Sequence, residues 1–363
     1  MIKKIRILVI SSSSKIGGGP SHIFLLRNLL KDNFDFYFSM PSIEENSKNI
    51  DKKKYLEISE RKISLIDILR LIIFVKRNKI NVIHAHGKGA GVIGRIIKIF
   101  VHKPLIYTFH GIHTDCHSKI NKILYIIYEN ITGWIDDEKI FVSCSEKYQA
   151  KNLKIIIGNN YRIINNSTKN MNIKQNYFQN NNSVLGIDNN KKNIISVCRL
   201  VEQKNIFEIF KIARNLNIYN FIILGEGYLI DKAKNYIKKN NINNVYLLGN
   251  KKNIFKYLKE SELFLSTSLY EGHPISILEA MSIGMPIVAS NVIGNIDTIK
   301  NNHSGFFYKL GDIIQASKCI KEIINNKELK LKFSINAHQR HRELFSTKKM
   351  KNSYISLYKK YLI

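Results

Sequence analysis

Residues 262–294, ELFLSTSLYEGHPISILEAMSIGMPIVASNVIG, place two glutamates, Glu271 and Glu279, on either side of what reads as a helix start. A carboxylate is an acceptor pair matched to a vicinal diol, so each can hold two hydroxyls. Between them, Pro274 suits the first turn of a helix, where its missing N–H costs nothing. Backbone amides at Ile275, Ser276 and Ile277 then lack helical partners, and their dipoles favour an anion such as a diphosphate. The elements that position these groups are legible on both flanks. FLSTS (264–268) is apolar and β-prone; Gly284 ends the helix, Pro286 bars its continuation, and MPIVAS (285–290) reads as the next strand. In a strand, loop, helix, strand unit the loop lies at the carboxyl end of the first strand, where open α/β sheets bind ligands. The plain alternative has Glu271 capping a turn and Glu279 on a solvated helix face.

The run EGHPISILEAMSIGMPIVAS is more specific than the spacing alone. It resembles the Glu-x7-Glu donor-site motif of the family 4 retaining glycosyltransferases. The resemblance implies an α/β, GT-B fold: two Rossmann-like domains face each other across a cleft, and a C-terminal helix crosses back to the first. Further pieces follow in the family's order. In NIISVCRLVEQKN, Arg199 and Lys204 match the cations that meet the donor diphosphate, whose charge grows as the glycosidic bond breaks. FIILGEG resembles the glycine turn near the nucleotide, with Gly225 and Gly227. NVYLLGN matches the stretch near the base, with backbone contacts expected at Leu248 and Gly249. Gly17, Gly18 and Gly19 resemble the glycine loop opposite the donor, and His110 with Gly111 the His-Gly pair beside the reacting sugar. SCSE (143–146) resembles a Ser-x-Ser strand end, where helix capping is the plain role of Ser145 and Glu146.

Carried over residue by residue, the resemblance makes His110, Glu271, Arg199 and Lys204 the catalytic set, with Glu279 on the ribose and Ile275, Ser276 and Ile277 on the diphosphate. It implies a UDP-linked sugar as co-substrate and no metal. The acceptor is expected to be a glycan on a lipid carrier, in surface-polysaccharide assembly, at the inner face of the cytoplasmic membrane.

The chain has 363 residues, enough for two domains with full cores. Strands and helices alternate in two series, which means parallel sheets with crossover helices. We read an N-terminal domain over 1–166, an asparagine-rich linker or variable loop over 167–192, a donor domain over 193–345 and a returning helix over 346–363. The net charge of +29 draws the chain toward anionic partners: membrane lipid, phosphate-bearing substrates or nucleic acid. No basic stripe interleaved with aromatics marks a nucleic-acid site, and lysines scattered beside abundant asparagine also fit a compositional bias. Cys116, Cys144, Cys198 and Cys319 form no Cys-x-x-Cys pair, which points to reduced thiols in a cytosolic protein. MIKKIRILVISSSS reads as a first strand, not a signal peptide. The best membrane-facing candidate is ISLIDILRLIIFVKRNK (63–79), an amphipathic, basic helix whose plain reading is core packing.

Two motifs are discounted. Gly89, Gly91 and Gly94 spell G-x-G-x-x-G, but the next strand ends in Thr108, Phe109 and His110 with no ribose-binding carboxylate. His110, His113, Cys116 and His117 are metal-ligand types without matched tetrahedral spacing. Rival readings are a non-hydrolysing sugar-nucleotide epimerase of similar architecture and a basic nucleic-acid-binding protein.

Overall fold

A computed structural model describes residues 4–13, 17–42, 50–112, 118–155, 158, 160–171 and 191–361. The stretch 172–190, most of the expected linker, lies outside the described residues, as do His113, Cys116 and His117. The chain divides into two compact units, Met1–Asn166 with Thr347–Ile363, and Ser167–Ser346.

The first unit is built on β1 (Arg6–Ser11), α1 (Gly18–Leu30), β2 (Asp35–Met40), β3 (Tyr55–Glu57), α2 (Leu65–Arg77), β4 (Val82–His86), α3 (Lys88–Val101), β5 (Leu105–Thr108), α4 (Lys119–Thr132), β6 (Glu138–Phe141), α5 (Cys144–Asn152) and β7 (Tyr161–Ile163). Its parallel sheet has the order β3-β2-β1-β4-β5-β6-β7. The order reverses between β1 and β4, where Ser11 pairs with His86, and His86 in turn pairs with Thr108 of β5. That reversal is the switch point at which such sheets open a binding crevice. The strands are buried on both faces, as a helix-covered parallel sheet requires, and are mostly apolar apart from His84 and His86 of β4.

The second unit runs β8 (Lys192–Val197), α6 (Ile206–Asn215), β9 (Tyr219–Leu224), α7 (Ile230–Lys239), β10 (Val245–Gly249), α8 (Ile254–Lys259), β11 (Leu263–Ser266), α9 (Ile275–Ser282), β12 (Ile287–Ser290), α10 (Asn295–Thr298), β13 (Gly305–Tyr308), α11 (Ile313–Asn325) and α12 (Lys327–Leu344). Its parallel order is β10-β9-β8-β11-β12-β13, so β8 and β11 flank its own switch point. A last helix, α13 (Thr347–Lys359), belongs to the first unit, where Tyr354, Leu357 and Tyr358 join Phe34, Phe36 and Leu30 in one core.

Three strands go beyond the sequence reading: β2, β3 and β13. The Ser-x-Ser segment expected at a strand end lies past it: β6 stops at Phe141, because Ser143 turns out of the sheet and its side chain accepts from Glu146 N to start α5. Pro274 is the N-cap residue of α9, not within its first turn. The Gly89, Gly91 and Gly94 series lies on α3 as a packing face. A Cβ at these positions would meet Ser12, Tyr107 and Leu105 at 2.5, 2.8 and 2.8 Å, so the glycines let the helix lie close on the sheet. Among the described residues, no helix is long and apolar enough to cross a membrane.

Candidate functional site

In the second unit the loops leaving β8 and β11 are laced together. Leu269 N donates to the Gln203 carbonyl at 2.8 Å, Gln203 Nε2 to the Tyr270 carbonyl at 3.0 Å, and Thr267 Oγ1 to the Lys204 carbonyl at 2.9 Å. Asn205 sits in the left-handed region at φ 49° and lets the chain turn from the Lys204 loop straight into α6. The lacing brings the Lys204 ammonium onto Glu271 Oε1, which also accepts from Ser268 Oγ at 2.6 Å. Glu271 is 7% exposed and Lys204 is largely buried, so the pair is held in a low-dielectric setting where charges act strongly. Ser196, Cys198, Lys204, Ser268, Glu271 and Ser276 share the walls of one small hollow. Burial pushes the Cys198 thiol up to about 11 despite the opposing pull of Lys204, so it is a protonated wall of the hollow and not a nucleophile.

The start of α9 completes this hollow. Leu278 N is the first amide to bond back along the helix, to the Pro274 carbonyl, and Pro274 offers no side-chain cap. The amides of Ile275, Ser276 and Ile277 therefore have no helical acceptor, the condition an anion at a helix start requires. One turn into the same helix, Glu279 is half-buried, and among the described residues its carboxylate has no hydrogen-bonding or ionic partner. Burial pushes its carboxyl up to about 7. A diol donating two hydrogen bonds would restore the ionised form, because donors to a carboxylate favour its charge.

The remaining expected residues lie around this core. Arg199 is exposed, and among the described residues its guanidinium makes no ion pair, leaving its donors available. Gly225 has φ 135°, and a Cβ there would meet the Cys198 carbonyl oxygen at 2.0 Å; at Gly227 it would meet the Leu200 oxygen at 2.2 Å. These glycines let β9 run directly beneath the loop that carries Arg199. Gly225 N donates to the Gly249 carbonyl at 2.9 Å, and the β9–β10 register slips across Leu248, a bulge at the sheet's carboxyl end.

In the first unit, Gly17 caps α1 without a side chain, and Gly18 opens the helix at an exposed position. His110 takes φ 58°, a left-handed turn just past β5, followed by Gly111 at φ 110°. Glu146 holds this turn, its carboxylate accepting from Gly111 N and, at 2.7 Å, from Val142 N. The His110 ring is 2.8 Å from His86 Nδ1, and His22 packs edge-on against it with ring centroids 4.9 Å apart. His84 bridges Thr108 at 2.8 Å and Tyr358 of α13 at 2.7 Å, and His22 lies 3.2 Å from the Tyr354 hydroxyl. Burial lowers the pKa of His84, His86 and His110 well below the usual imidazole value, and that of His22 to about 4. His110 is thus a neutral imidazole near pH 7, suited to hydrogen bonding and not to standing positive charge. Ligand-capable atoms of His22, His86 and His110 lie within 4.8 Å of one another, close enough to share a metal ion.

Residues 178–340 match the family model described as glycosyl transferases group 1, a span that holds Arg199, Lys204, Glu271, Ser276 and Glu279. Over 297 residues, 75% of this chain and 74% of the relative, the sequence is 28% identical to UDP-Gal:alpha-D-GlcNAc-diphosphoundecaprenol alpha-1,3-galactosyltransferase of Escherichia coli. The chain is a glycosyltransferase. It is also 25% identical, over 82% of its length and 81% of the relative, to the capsular polysaccharide biosynthesis glycosyltransferase CapM of Staphylococcus aureus. The glycosyltransferase shares its fold with Anabaena Alr3699/HepE, crystallised with UDP and glucose, at a TM-score of 0.83 and 16% identity over 98% of this chain and 100% of that one. The two parallel-sheet, Rossmann-like halves are those of GT-B glycosyltransferases.

Three supporting residues of the glycosyltransferase, Gly294, Ser268 and His22, escaped the sequence reading, as did the clamping role of Glu146. Gly294, at φ 84°, lies so close to Glu271 that a Cβ would meet its carbonyl oxygen at 2.7 Å. Ser268 was visible in STS, three residues before Glu271, a spacing that signals a local side-chain bond. His22 and the bond from Gly111 N to Glu146 gave no local signal, because their partners lie far away in sequence, whereas the Val142 bond is four residues long.

Proposed function

We propose that the enzyme is a family 4 member that moves a sugar from a UDP-linked donor to a hydroxyl of a lipid-linked glycan, with retention of configuration. The observation that carries this reading is the convergence of Lys204, Glu271 and the open α9 amides on one hollow of the second unit. Support for UDP comes from the HepE complex and from the UDP-Gal donor named for the Escherichia coli relative. Support for a lipid-linked acceptor comes from that relative's diphosphoundecaprenol substrate, and for surface-polysaccharide assembly from CapM.

In the proposed front-face substitution, the bond between the anomeric carbon and the β-phosphate oxygen breaks, and its electron pair stays on the diphosphate. Lys204, Arg199 and the amides at Ser276 and Ile277 stabilise that growing charge. The acceptor oxygen bonds to the same face of the anomeric carbon, and its proton passes to a diphosphate oxygen. Glu271 fixes Lys204 and the sugar, Glu279 takes the ribose diol, and His110 donates or accepts at a sugar hydroxyl. The leaving group's charge is met by side chains and amides, so no metal is assigned a step. The enzyme works at the cytoplasmic face of the membrane, where its acceptor is anchored.

The test measures transfer and donor hydrolysis for Lys204→Ala, Glu271→Ala and Glu279→Ala, with the product anomer read by NMR before and after dialysis against a chelator. Losses of about 10²-fold or more for the first two and a retained anomer are expected. Near-normal rates in all three variants, an inverted anomer, or activity lost to the chelator would refute the assignment.

A further inference from the structure

The first unit wears an apolar surface where a water-facing helix should be polar. On α4, Ile120, Ile123, Leu124, Ile127 and Ile131 fall at helical spacing on one stripe, and all five are exposed. The buried residue of that helix is a carboxylate, Glu129, gripped by Arg95 at 2.7 Å. The helix is thus amphipathic with its oily face outward, the reverse of a core-packing helix. Trp134, the chain's single tryptophan, follows at 81% exposure.

Neighbouring helices extend the surface. α3 packs against α2, and Arg95 of α3 ties to Glu129 and Thr132 of α4. α2 sends Ile68, Leu71 and Val75 into the core, as an amphipathic helix should, but leaves Leu65, Ile66, Leu69 and Ile73 in water. α3 adds Ile99 and Phe100 at its exposed end. So many exposed apolar side chains on neighbouring helices mark an interaction site.

Charge selects the partner. The acidic residues of these helices are Asp67 and Glu129, both buried; Asp67 accepts from Ser59 N at 2.9 Å. The exposed charges on these helices are basic, Arg70, Lys76 and Arg77 on α2 and Lys119 opening α4; before α2, Arg61 and Lys62 follow an exposed Glu60. Aliphatic side chains ringed by lysine and arginine, with an indole at the edge, match an anionic bilayer surface.

We infer that the outer faces of α2, α3 and α4, with Trp134, form a membrane-docking surface that seats on a bilayer containing anionic lipid, the apolar side chains entering the headgroup–acyl boundary. The inference deepens the lipid-linked reading above and rests on it for the choice of leaflet. It places on one face what the sequence offered only as the segment 63–79.

Trp134 supplies the test. The full-length enzyme is titrated with phosphatidylglycerol-containing and pure phosphatidylcholine vesicles at low and high salt, following tryptophan emission and co-flotation. A blue shift and flotation with anionic vesicles, weakened by salt, are expected. The triple variant Ile120→Ser, Leu124→Ser, Ile127→Ser and the double variant Leu65→Ser, Leu69→Ser should each bind at least about tenfold more weakly, since each large apolar side chain withdrawn from the boundary forfeits its burial. Leu331→Ser, an exposed leucine on α12 of the second unit, should bind as the wild type does. These side chains are exposed, so folding should survive, as checked by circular dichroism. Wild type that floats with neither vesicle, flotation without a Trp134 shift, or variants that bind normally would each overturn the inference. So would a wild-type dimer in solution that the triple variant breaks, since a second copy would then be the occupant. UDP protection against melting, measured on the same samples, reports the donor site separately, so failure of docking and failure of the glycosyltransfer reading are distinguishable.

Discussion

The two units share a parallel-sheet plan but assemble their polar centres in opposite ways. The second unit builds its hollow from two short loops and one helix start: Lys204, Ser268, Glu271 and Ser276 are local neighbours once β8 and β11 pair. The first draws its histidines from α1, β4 and the end of β5, and closes them with Tyr354 and Tyr358 of α13 and, through Gly111, Glu146 of α5. One centre holds an ion pair that faces a hollow. The other is buried, so its imidazoles stay neutral. Charge suited to a diphosphate therefore belongs to the second unit, and neutral hydrogen-bonding groups suited to sugar hydroxyls to the first.

The sharpest way to break this contrast is to remove a charge from the second unit. Lys204→Ala should lower kcat by about 10²–10³-fold while leaving the fold intact, because the ammonium acts on charge that develops only in the transition state. Steady-state transfer rates check it, and a loss confined to KM would place Lys204 in ground-state binding instead.

The neutrality of the first centre predicts an acid response. His22 has a folded pKa of about 4 against 6.5 unfolded, so below pH 6.5 the unfolded chain binds the extra proton. Stability should fall as pH drops from 6.5 to about 4, with His22 contributing up to roughly 3 kcal/mol of the loss. Denaturation followed by circular dichroism should show this slope, and His22→Asn should lessen it, the remainder belonging to the other buried histidines.

Two glycines sharpen the support of Glu271. Gly294 and Gly311 both hold positive φ, at 84° and 86°, but only a Cβ at Gly294 would meet Glu271, while one at Gly311 meets nothing within 4 Å. Both alanine variants should lose about 1–3 kcal/mol from backbone strain. Only Gly294→Ala should also weaken UDP binding, as calorimetry would show.

Glu279 carries the smallest effect. If ribose takes its ionised form, affinity for a UDP-sugar should rise by up to about tenfold per pH unit toward pH 7 and level off above it. Glu279→Gln should bind more weakly and lose that dependence. Because the folded carboxyl is raised from 4.5 to about 7, the wild type loses stability as pH rises through that window. The glutamine variant should therefore melt above the wild type at pH 8.

The sequence made the second centre readable because its determinants are short-range. Glu271, the α9 start and Gly284 sit in one continuous run, and Pro274 shifted by a single position at the cap. Lys204 was found by resemblance, but its grip on Glu271 spans 67 residues and needed the sheet. The pairing of His86 with His110 and the bond from Gly111 N to Glu146 come from strand register, which no local pattern encodes. β2 and β3 were missed because the apolar run 35–40 leads into a polar stretch that offers no crossover signal, and β13 because GFFY is too short for periodicity to speak. The outward face of α4 was illegible for a different reason: its periodicity is that of an ordinary core helix, and only burial shows which way the stripe points.

The account rests on the second unit gripping a diphosphate. A crystal structure of the full chain soaked with UDP should place the phosphate oxygens within hydrogen-bond distance of Lys204 Nζ and the Ser276 and Ile277 amides, with the ribose hydroxyls on Glu279. UDP bound at another surface, with those amides and Lys204 untouched, would contradict it.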